Sequence, residues 1–521
     1  MKNKQAKIKQ NTEILALKIK TEGNGLGVLK TFIVLILIAL QLAFFIFSYY
    51  SFLHIFKWYF VLSIILSLIC AIHVLSSDFH GQVKAVWVLF LLSCFGFAYV
   101  FYFFSNKSMF FAKSKKKYGK ILDSCTPLNR QNNNVKVERD TENICNYLYN
   151  VGKFFTYNNC KLNYYSSGNS MFDDVIESIQ KAKHFIFMEF FIVSDGILLD
   201  KIYDILKDKV NQGVQVKIIY DDMGSHKTLK RRTKKKFAKA GITMLEFNRL
   251  VPVLNFALNL RDHRKIVVID GEVGYTGGVN LADEYTNAKR MHGYWKDSGI
   301  KIEGQGVDNF TIAFLNQWEM LTNKKIDYDR YINRAKVYEN NSIVVPFVSG
   351  PNYPFSISQN MFAEVISKAN EKLYIMTPYF IPDETITNLI INKAKSGIDV
   401  RIILPDVADK KFVYVVSRNN VEKMMKYGVK LYTMTSSFVH SKIVATEKMV
   451  IVGSINMDLR SFYQQFESAI FTNDTKILEQ VNADFNKTFK YSSLITDKEK
   501  KRNSRLYRIL AGTFNIVSPF M

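Results

Sequence analysis

Three segments of this chain recur in the same order, and that recurrence restricts the fold more than any other feature. Residues 181–192 (KAKHFIFMEFFI) return as residues 371–381 (EKLYIMTPYFI), and residues 213–222 (GVQVKIIYDD) return as residues 397–406 (GIDVRIILPD). Residues 263–270 (HRKIVVID) return as residues 440–447 (HSKIVATE). The offsets are about 187, 184 and 177 residues, so order is kept and loops absorb the drift. Each first segment reads as an apolar strand after a helical stretch, and each second as a strand after a helix closed by Gly. Alternating helix and strand signals predict an α/β fold built from a duplicated unit. Gly350, Pro351 and Pro354 in VSGPNYP break the chain between copies. The expected halves are residues 151–345 and 346–521.

Ahead of the repeat stand three apolar runs: residues 31–56, 58–75 and 85–104. Each is long enough, or nearly so, to cross about 30 Å of hydrocarbon. The expected organisation is a basic extension (1–30), a transmembrane region with two or three spans (31–104) and a polar linker (105–150). Lysines cluster before the first run and after the last, so the positive-inside rule draws both ends to the cytoplasm, whereas three full spans would separate them. The Lys run from Lys113 to Lys120 and the lack of paired Cys beyond it favour a cytoplasmic C-terminal region in a multi-pass protein of the cell membrane. The five Cys all precede residue 161, and no CxxC occurs, so neither a disulfide framework nor a zinc site is expected. A formal charge of +24 suits an anionic membrane, a phosphorylated substrate or nucleic acid, and by itself selects none of them.

The third recurring segment carries chemistry. Residues i and i+2 of a strand share a face, so His263 and Lys265 project together, as do His440 and Lys442. An imidazole can attack phosphorus or transfer a proton, and an ammonium beside it stabilises the phosphoryl oxygens. One His cannot serve at once as nucleophile and acid; two copies facing each other supply both roles. Asp270 and Glu447 close the two segments. Small-residue turns follow, GGVN with Gly278 and Asn280, and GSIN with Ser454 and Asn456, where backbone and side-chain donors can approach an anion. Further on, each half offers a carboxylate to orient its own His: Asp297 for His263 and Glu467 for His440. No additional His or Cys lies near either segment, so no metal is expected. Asp221 and Asp222 in YDDMGS read as turn or cap residues and stay outside the catalytic set.

The two segments resemble the HKD signature, His-x-Lys-x4-Asp, of the phospholipase D superfamily. EFFIVSDG, YDDMGS, the stretch around DHRKIVVIDGEVGYTGGVNLADEY, YWKDSG, TPYFIPDE, SINMDLRSF and the terminal SPFM are similar to bacterial cardiolipin synthases over roughly residues 58–521. The resemblance implies two phospholipase D-like halves about a pseudo-twofold, preceded by transmembrane helices. It implies that two phosphatidylglycerols become cardiolipin and glycerol, with no metal or nucleotide cofactor. The phosphate would pass through a phosphatidyl-histidine on His263, with His440 as acid and then base. Lys265, Lys442, Asn280 and Asn456 would hold phosphate oxygens. The expected partners are phosphatidylglycerol, cardiolipin and the anionic membrane, not nucleic acid. The residues alone remain equally compatible with a phospholipase D or a transferase using another alcohol, since these share the first step; a non-catalytic lipid-binding protein is the remote alternative.

One departure stands out. Glu447 replaces the Asp of the second motif, and Asn456 follows it by one residue fewer than Asn280 follows Asp270. The longer acid and the shorter turn are expected to compensate.

Overall fold

The computed structural model describes residues 36, 39–49, 57–77, 81–105, 108–125, 138–250, 260–501 and 504–517. The basic extension 1–30, much of the first apolar run and the terminal SPFM lie outside the described residues. Contacts divide the chain into two compact units, one of residues 1–113 with 250–259 and 515–521, the other of residues 114–249 and 260–514, which carries the repeat.

In the N-terminal unit, one helix among the described residues is long and apolar enough to cross a membrane. It is Lys57–Ser76, through its stretch Tyr59–Ser76. The apolar run 85–104 departs from the continuous span expected of it. Helix Gly81–Ser93 stops, the chain turns at residues 94–97, and helix Ala98–Ser105 resumes. Thirteen residues rise only about 20 Å, short of the hydrocarbon thickness. The turn leaves carbonyls without helical partners, and the long helix supplies them. The Ser67 hydroxyl donates to Phe95 O (3.2 Å) and the Tyr59 hydroxyl to Gly96 O (3.1 Å).

In the second unit, nine strands precede the boundary between copies. They are β1 (Cys160–Tyr165), β2 (Phe185–Phe190), β3 (Gln215–Asp221), β4 (Thr243–Phe247), β5 (Arg261–Asp262), β6 (Lys265–Ile269), β7 (Val273–Gly277), β8 (Tyr294–Lys296) and β9 (Gly299–Gly304). Eleven follow: β10 (Val344–Ser349), β11 (Lys372–Met376), β12 (Phe380–Ile381), β13 (Asp399–Pro405), β14 (Lys430–Met434), β15 (Ser437–Val439), β16 (Ile443–Thr446), β17 (Val450–Gly453), β18 (Met457–Asp458), β19 (Gln465–Thr472) and β20 (Ser492–Leu494). The first sheet runs β1-β9-β7-β6-β2-β3-β4 and the second β10-β19-β17-β16-β11-β13-β14-β20. Position by position, the second repeats the first and adds β20 at its end. In each, three parallel strands (β2, β3, β4; β11, β13, β14) meet an antiparallel strand carrying the motif lysine's segment (β6; β16).

The helices follow from spacing and caps. Helix Gly168–Lys181 starts at Ser167, whose side chain accepts from Ser170 N–H, and buries Met171, Phe172, Val175, Ile176 and Ile179. The segment read as a polar linker differs from that expectation. It contains helices Ser108–Cys125 and Arg139–Gly152, and Tyr118, Ile121, Ile144, Cys145 and Leu148 are buried in the main core. Its Lys- and Asn-rich composition masked an apolar stripe at helical spacing.

Candidate active site

Each motif histidine sits where a strand of one half crosses to pair with the other. β5 runs parallel to the start of β19, with Arg261 opposite Gln465 and Asp262 opposite Phe466, and His263 N–H donates to Phe466 O at 2.8 Å. β15 runs parallel to β8, with Val439 opposite Lys296, and His440 N–H donates to Lys296 O at 2.7 Å. The residue following each of these acceptors is a buried carboxylate, Glu467 or Asp297.

The carboxylates therefore serve the opposite histidine from the one expected. His263 Nδ1 lies 3.0 Å from both Glu467 oxygens, and His440 Nδ1 lies 2.7 Å from Asp297 Oδ2. In-half pairing fails because β8 pairs with β15 and the start of β19 pairs with β5, so each carboxylate follows a strand laid beside the other half's histidine segment. Both acids are themselves fixed. Ser454 Oγ donates to Glu467, and Asp297 Oδ1 accepts from Ser298 N–H at 2.8 Å. With Nδ1 engaged by a carboxylate, Nε2 is the atom left for chemistry.

Lys265 Nζ donates back to His263 O at 2.6 Å, and Lys442 Nζ donates to His440 O. Arg264, between the two, lies on the other face and pairs with Glu189 (2.8 Å) and Asp262 (2.9 Å), as strand alternation requires. Both histidines and both lysines are buried. Burial pulls His263 well below its ordinary pKa, with help from Lys265, Lys442 and His440. Burial and Lys442 pull His440 down to about 4 against the pull of Asp297. Burial takes Lys265 to about 7 although Glu467 opposes it, and takes Lys442 to about 8 although Asp297 opposes it. Burial also raises Glu467 to about 8. Four basic groups thus crowd one dry site, each made more basic by an incoming anion.

Asp270 and Glu447 stand elsewhere. Asp270 accepts from the backbone N–H groups of Lys183, His184 and Phe185 at 2.7–2.8 Å. Glu447 accepts from Asn370, Glu371 and Lys372, the same three positions of the repeat, at 3.1–3.4 Å. Both acids tie a strand start to a hairpin turn, and their hydrogen bonds go to backbone rather than to the motif histidines or lysines. The β6–β7 connection is residues 270–272, with Asp270 and Gly271 left-handed (φ 56° and 71°). In the second hairpin Thr446 N–H bonds to Met449 O, leaving two residues, 447 and 448.

Two expected phosphate contacts face other partners. Ser454 is spent on Glu467 and accepts from Ser468 N–H at 2.9 Å. Gly278 makes room for the crossed pair, since a Cβ there would fall 2.0 Å from Asp297 Oδ1. Asn280 Oδ1 accepts from Ile192 N–H at 3.0 Å, whereas the buried Asn456 Oδ1 has no hydrogen-bond partner among the described residues. Asp221 caps a short helix, accepting from Met223 N–H at 2.8 Å, and also takes Asp262 N–H at 2.9 Å, which positions the strand before His263.

Aromatic walls flank both histidines, beyond the residues of the motifs themselves. The Phe191 ring lies 5.2 Å from that of His263, and Tyr285 and Trp295 lie 5.3 and 5.4 Å from that of His440. The signal was present, since all three sit inside stretches flanking the motifs, EFFIVSDG, LADEY and YWKDSG. Among the described residues, no group of three or more His, Cys, Asp and Glu side chains is gathered as metal ligands.

The site gathers two acid–imidazole pairs and two lysines, groups able to attack, to transfer a proton and to hold an anion. A family model described as "Cardiolipin synthase, PLD-like domain" matches residues 175–293 and 362–489, one match on each sheet. An uncharacterised protein of Streptococcus mutans is 35% identical over 384 residues, 73% of this chain and 83% of that one. Cardiolipin synthase 1 of Staphylococcus epidermidis is 30% identical over 84% of this chain and 91% of its own length. Cardiolipin synthase 1 of Staphylococcus aureus is 31% identical over 84% and 90%. Among solved structures, a phosphatidylserine synthase of Haemophilus influenzae superposes with a TM-score of 0.54 at 15% identity, covering 74% of this chain and all of that one, a likeness of fold.

Proposed function

This chain belongs to the cardiolipin synthase family with phospholipase D-like domains, and from that premise we propose that it joins two phosphatidylglycerols into cardiolipin and glycerol. The reaction exchanges one phosphodiester for another, so it is near thermoneutral and calls for no activated donor. The observation that carries the reading is the crossed pairing of His263 with Glu467 and His440 with Asp297 around one buried, lysine-lined site.

In the first step His263 Nε2 attacks the phosphorus of one phosphatidylglycerol. A P–N bond forms, the bond to the glycerol headgroup breaks, and His440 Nε2 gives its proton to the departing glycerol oxygen. Glu467 takes up the positive charge that develops on His263, and Lys265 and Lys442 hold the phosphoryl oxygens. In the second step neutral His440 removes the proton from the free glycerol hydroxyl of another phosphatidylglycerol. That oxygen attacks phosphorus, the P–N bond breaks, and cardiolipin forms. Burial holds both imidazoles below their ordinary range, so His263 meets the substrate as a neutral nucleophile, and His440 is read as the group that cycles its proton. The entering phosphodiester anion raises His440, so the acid is charged as substrate arrives.

Residues 151–345 and 346–521 are read as two halves about a pseudo-twofold, with Asn280 and Asn456 near the phosphate. The N-terminal unit is read as a multi-pass anchor in the cell membrane, with the site on the cytoplasmic side. The deciding experiment is purified protein in micelles with phosphatidylglycerol alone and a chelator. One glycerol released per cardiolipin, with a quenched phosphohistidine mapping to residue 263, is expected. Phosphatidic acid without cardiolipin would replace this reading with hydrolysis.

A further inference from the structure

The helix Arg505–Val517 is seated by one face only. The Tyr507 hydroxyl donates to Val415 O at 3.0 Å, Ala511 is fully buried, and the Phe514 ring lies 4.6 Å from that of Phe412. These positions, spaced by four and three, fix the helix on helix Lys411–Met424. The outer face is apolar: Leu506, Ile509 and Leu510 are 66%, 57% and 42% exposed, and Phe412 beside Phe514 is 60% exposed. Arg505 and Arg508 are exposed on the same helix, which contains no acid.

The patch adjoins the site. Phe412 follows Lys410 and Lys411, both exposed. Lys410 lies over the Tyr379 ring at 5.3 Å, and Tyr379 donates its hydroxyl to Asp409. The segment leading to Phe412 hangs on the strand before His440, since Asp406 and Val407 N–H donate to Ser437 O at 3.2 and 3.3 Å.

We propose that Leu506, Ile509, Leu510 and Phe412, flanked by Arg505, Arg508, Lys410 and Lys411, form an interfacial face that docks on an anionic lipid surface at the mouth of the active site. The inference rests on the reading of that site as a phosphatidyltransferase. Apolar side chains ringed by arginines match acyl chains below phosphate headgroups. A second copy is a poorer occupant, because self-pairing would bring the same arginines together. Docking beside Lys410 lets a phosphatidyl group reach His263 while its acyl chains stay in the bilayer.

The test uses the full chain in proteoliposomes of phosphatidylcholine with a minority of phosphatidylglycerol. An environment-sensitive dye on Ile509→Cys, with label on the parent chain as blank, is expected to shift to the blue and to be quenched by brominated lipid. The triple variant Leu506→Ser, Ile509→Ser, Leu510→Ser is expected to lose at least tenfold in rate on bilayer phosphatidylglycerol and to match the parent on a monomeric short-chain analogue. Arg505→Gln with Arg508→Gln, which leaves the apolar face intact, is expected to reduce dye burial in these bilayers. A dye that stays in water while the parent makes cardiolipin overturns the docking and leaves the reaction standing. A blue shift without lipid that grows with protein concentration assigns the face to a second copy and overturns it too. A buried dye with no cardiolipin from either enzyme supports the docking and removes the proposed reaction.

Discussion

His263 Nδ1 lies 3.0 Å from both carboxylate oxygens of Glu467, a residue 204 positions further along the chain and in the other sheet. The reciprocal pair, His440 with Asp297, spans 143 positions in the opposite direction. Neither half can orient its own histidine. Each needs a strand and a carboxylate of the other, β19 with Glu467 or β8 with Asp297, so the site forms only when the halves have docked. Duplication here multiplies a fold and divides each acid–imidazole pair between the copies.

The crossing makes the two acids separable. Glu467→Gln should act on His263, and Asp297→Asn on His440, each lowering turnover about 10²–10⁴-fold, as expected when an imidazole loses its orienting carboxylate. In double-mutant cycles, Glu467→Gln should add little to His263→Ala but much to Asp297→Asn. Additive losses for His263→Ala with Glu467→Gln would mean that the acid acts independently of its histidine.

His263→Ala and His440→Ala should each abolish synthesis, for different reasons. Without His263 no covalent intermediate forms from any substrate. Without His440, a phosphatidyl ester with a good leaving group should still label the enzyme, because that departure needs no acid. Labelling of the His263 variant and not of the His440 variant would reverse the roles proposed for the two histidines.

What could be read from the chain, and what could not, follows the range of the interactions. The repeat, the succession of its recurring segments along the chain and the His-x-Lys pairs rest on local patterns and stand in the sequence as periodicity and spacing. Asp297 and Glu467 were found as candidates, but nearness in sequence assigned them to their own halves. The pairing β5 with β19 and β8 with β15 is tertiary and leaves no periodic trace. Ser454 and Gly278 read as an anion-binding turn because small residues serve both purposes; packing against Glu467 and Asp297 decides which. The apolar run 85–104 is uniform in hydropathy, so the break at residues 94–97 is visible only once Ser67 and Tyr59 are seen to satisfy it.

Substrate binding should take up protons near neutrality. Lys265 and Lys442 sit at about 7 and about 8, held down chiefly by burial, and a phosphodiester anion favours both ammonium forms. At pH 8 Lys265 has mostly lost its proton and Lys442 about half, so anion binding should consume on the order of one proton at the lysines, besides the one that charges His440. Affinity should therefore fall as pH rises through 7 to 9, seen as a rise in KM or a weaker non-hydrolysable phosphonate. Calorimetry in buffers of different ionisation enthalpy measures the uptake. A pH-independent affinity with no uptake would mean that the lysines stay charged in the free enzyme.

Glu447 offers the closest comparison within one molecule. It accepts the backbone N–H groups of residues 370–372 from a two-residue turn, as Asp270 accepts those of residues 183–185 from a three-residue connection. The extra methylene spans what the shorter turn does not. Both acids hold a strand start and not the phosphate, so their loss should appear first in stability. Asp270 is buried with bonds of 2.7–2.8 Å, whereas Glu447 is half-buried with bonds of 3.1–3.4 Å. Asp270→Ala should therefore cost about 2–3 kcal/mol and Glu447→Ala about 1 kcal/mol, read as shifts in Tm. Turnover of the folded Glu447→Gln enzyme should drop on the order of tenfold at most. Glu447→Asp alone should be worse than Glu447→Gln, since the shorter acid cannot reach from the two-residue turn. Glu447→Asp with one Gly inserted after it, restoring the connection length of the first hairpin, should recover both Tm and turnover. If Glu447→Asp alone matches the parent in both, side-chain length and turn length are not coupled, and the substitution in the second motif is neutral.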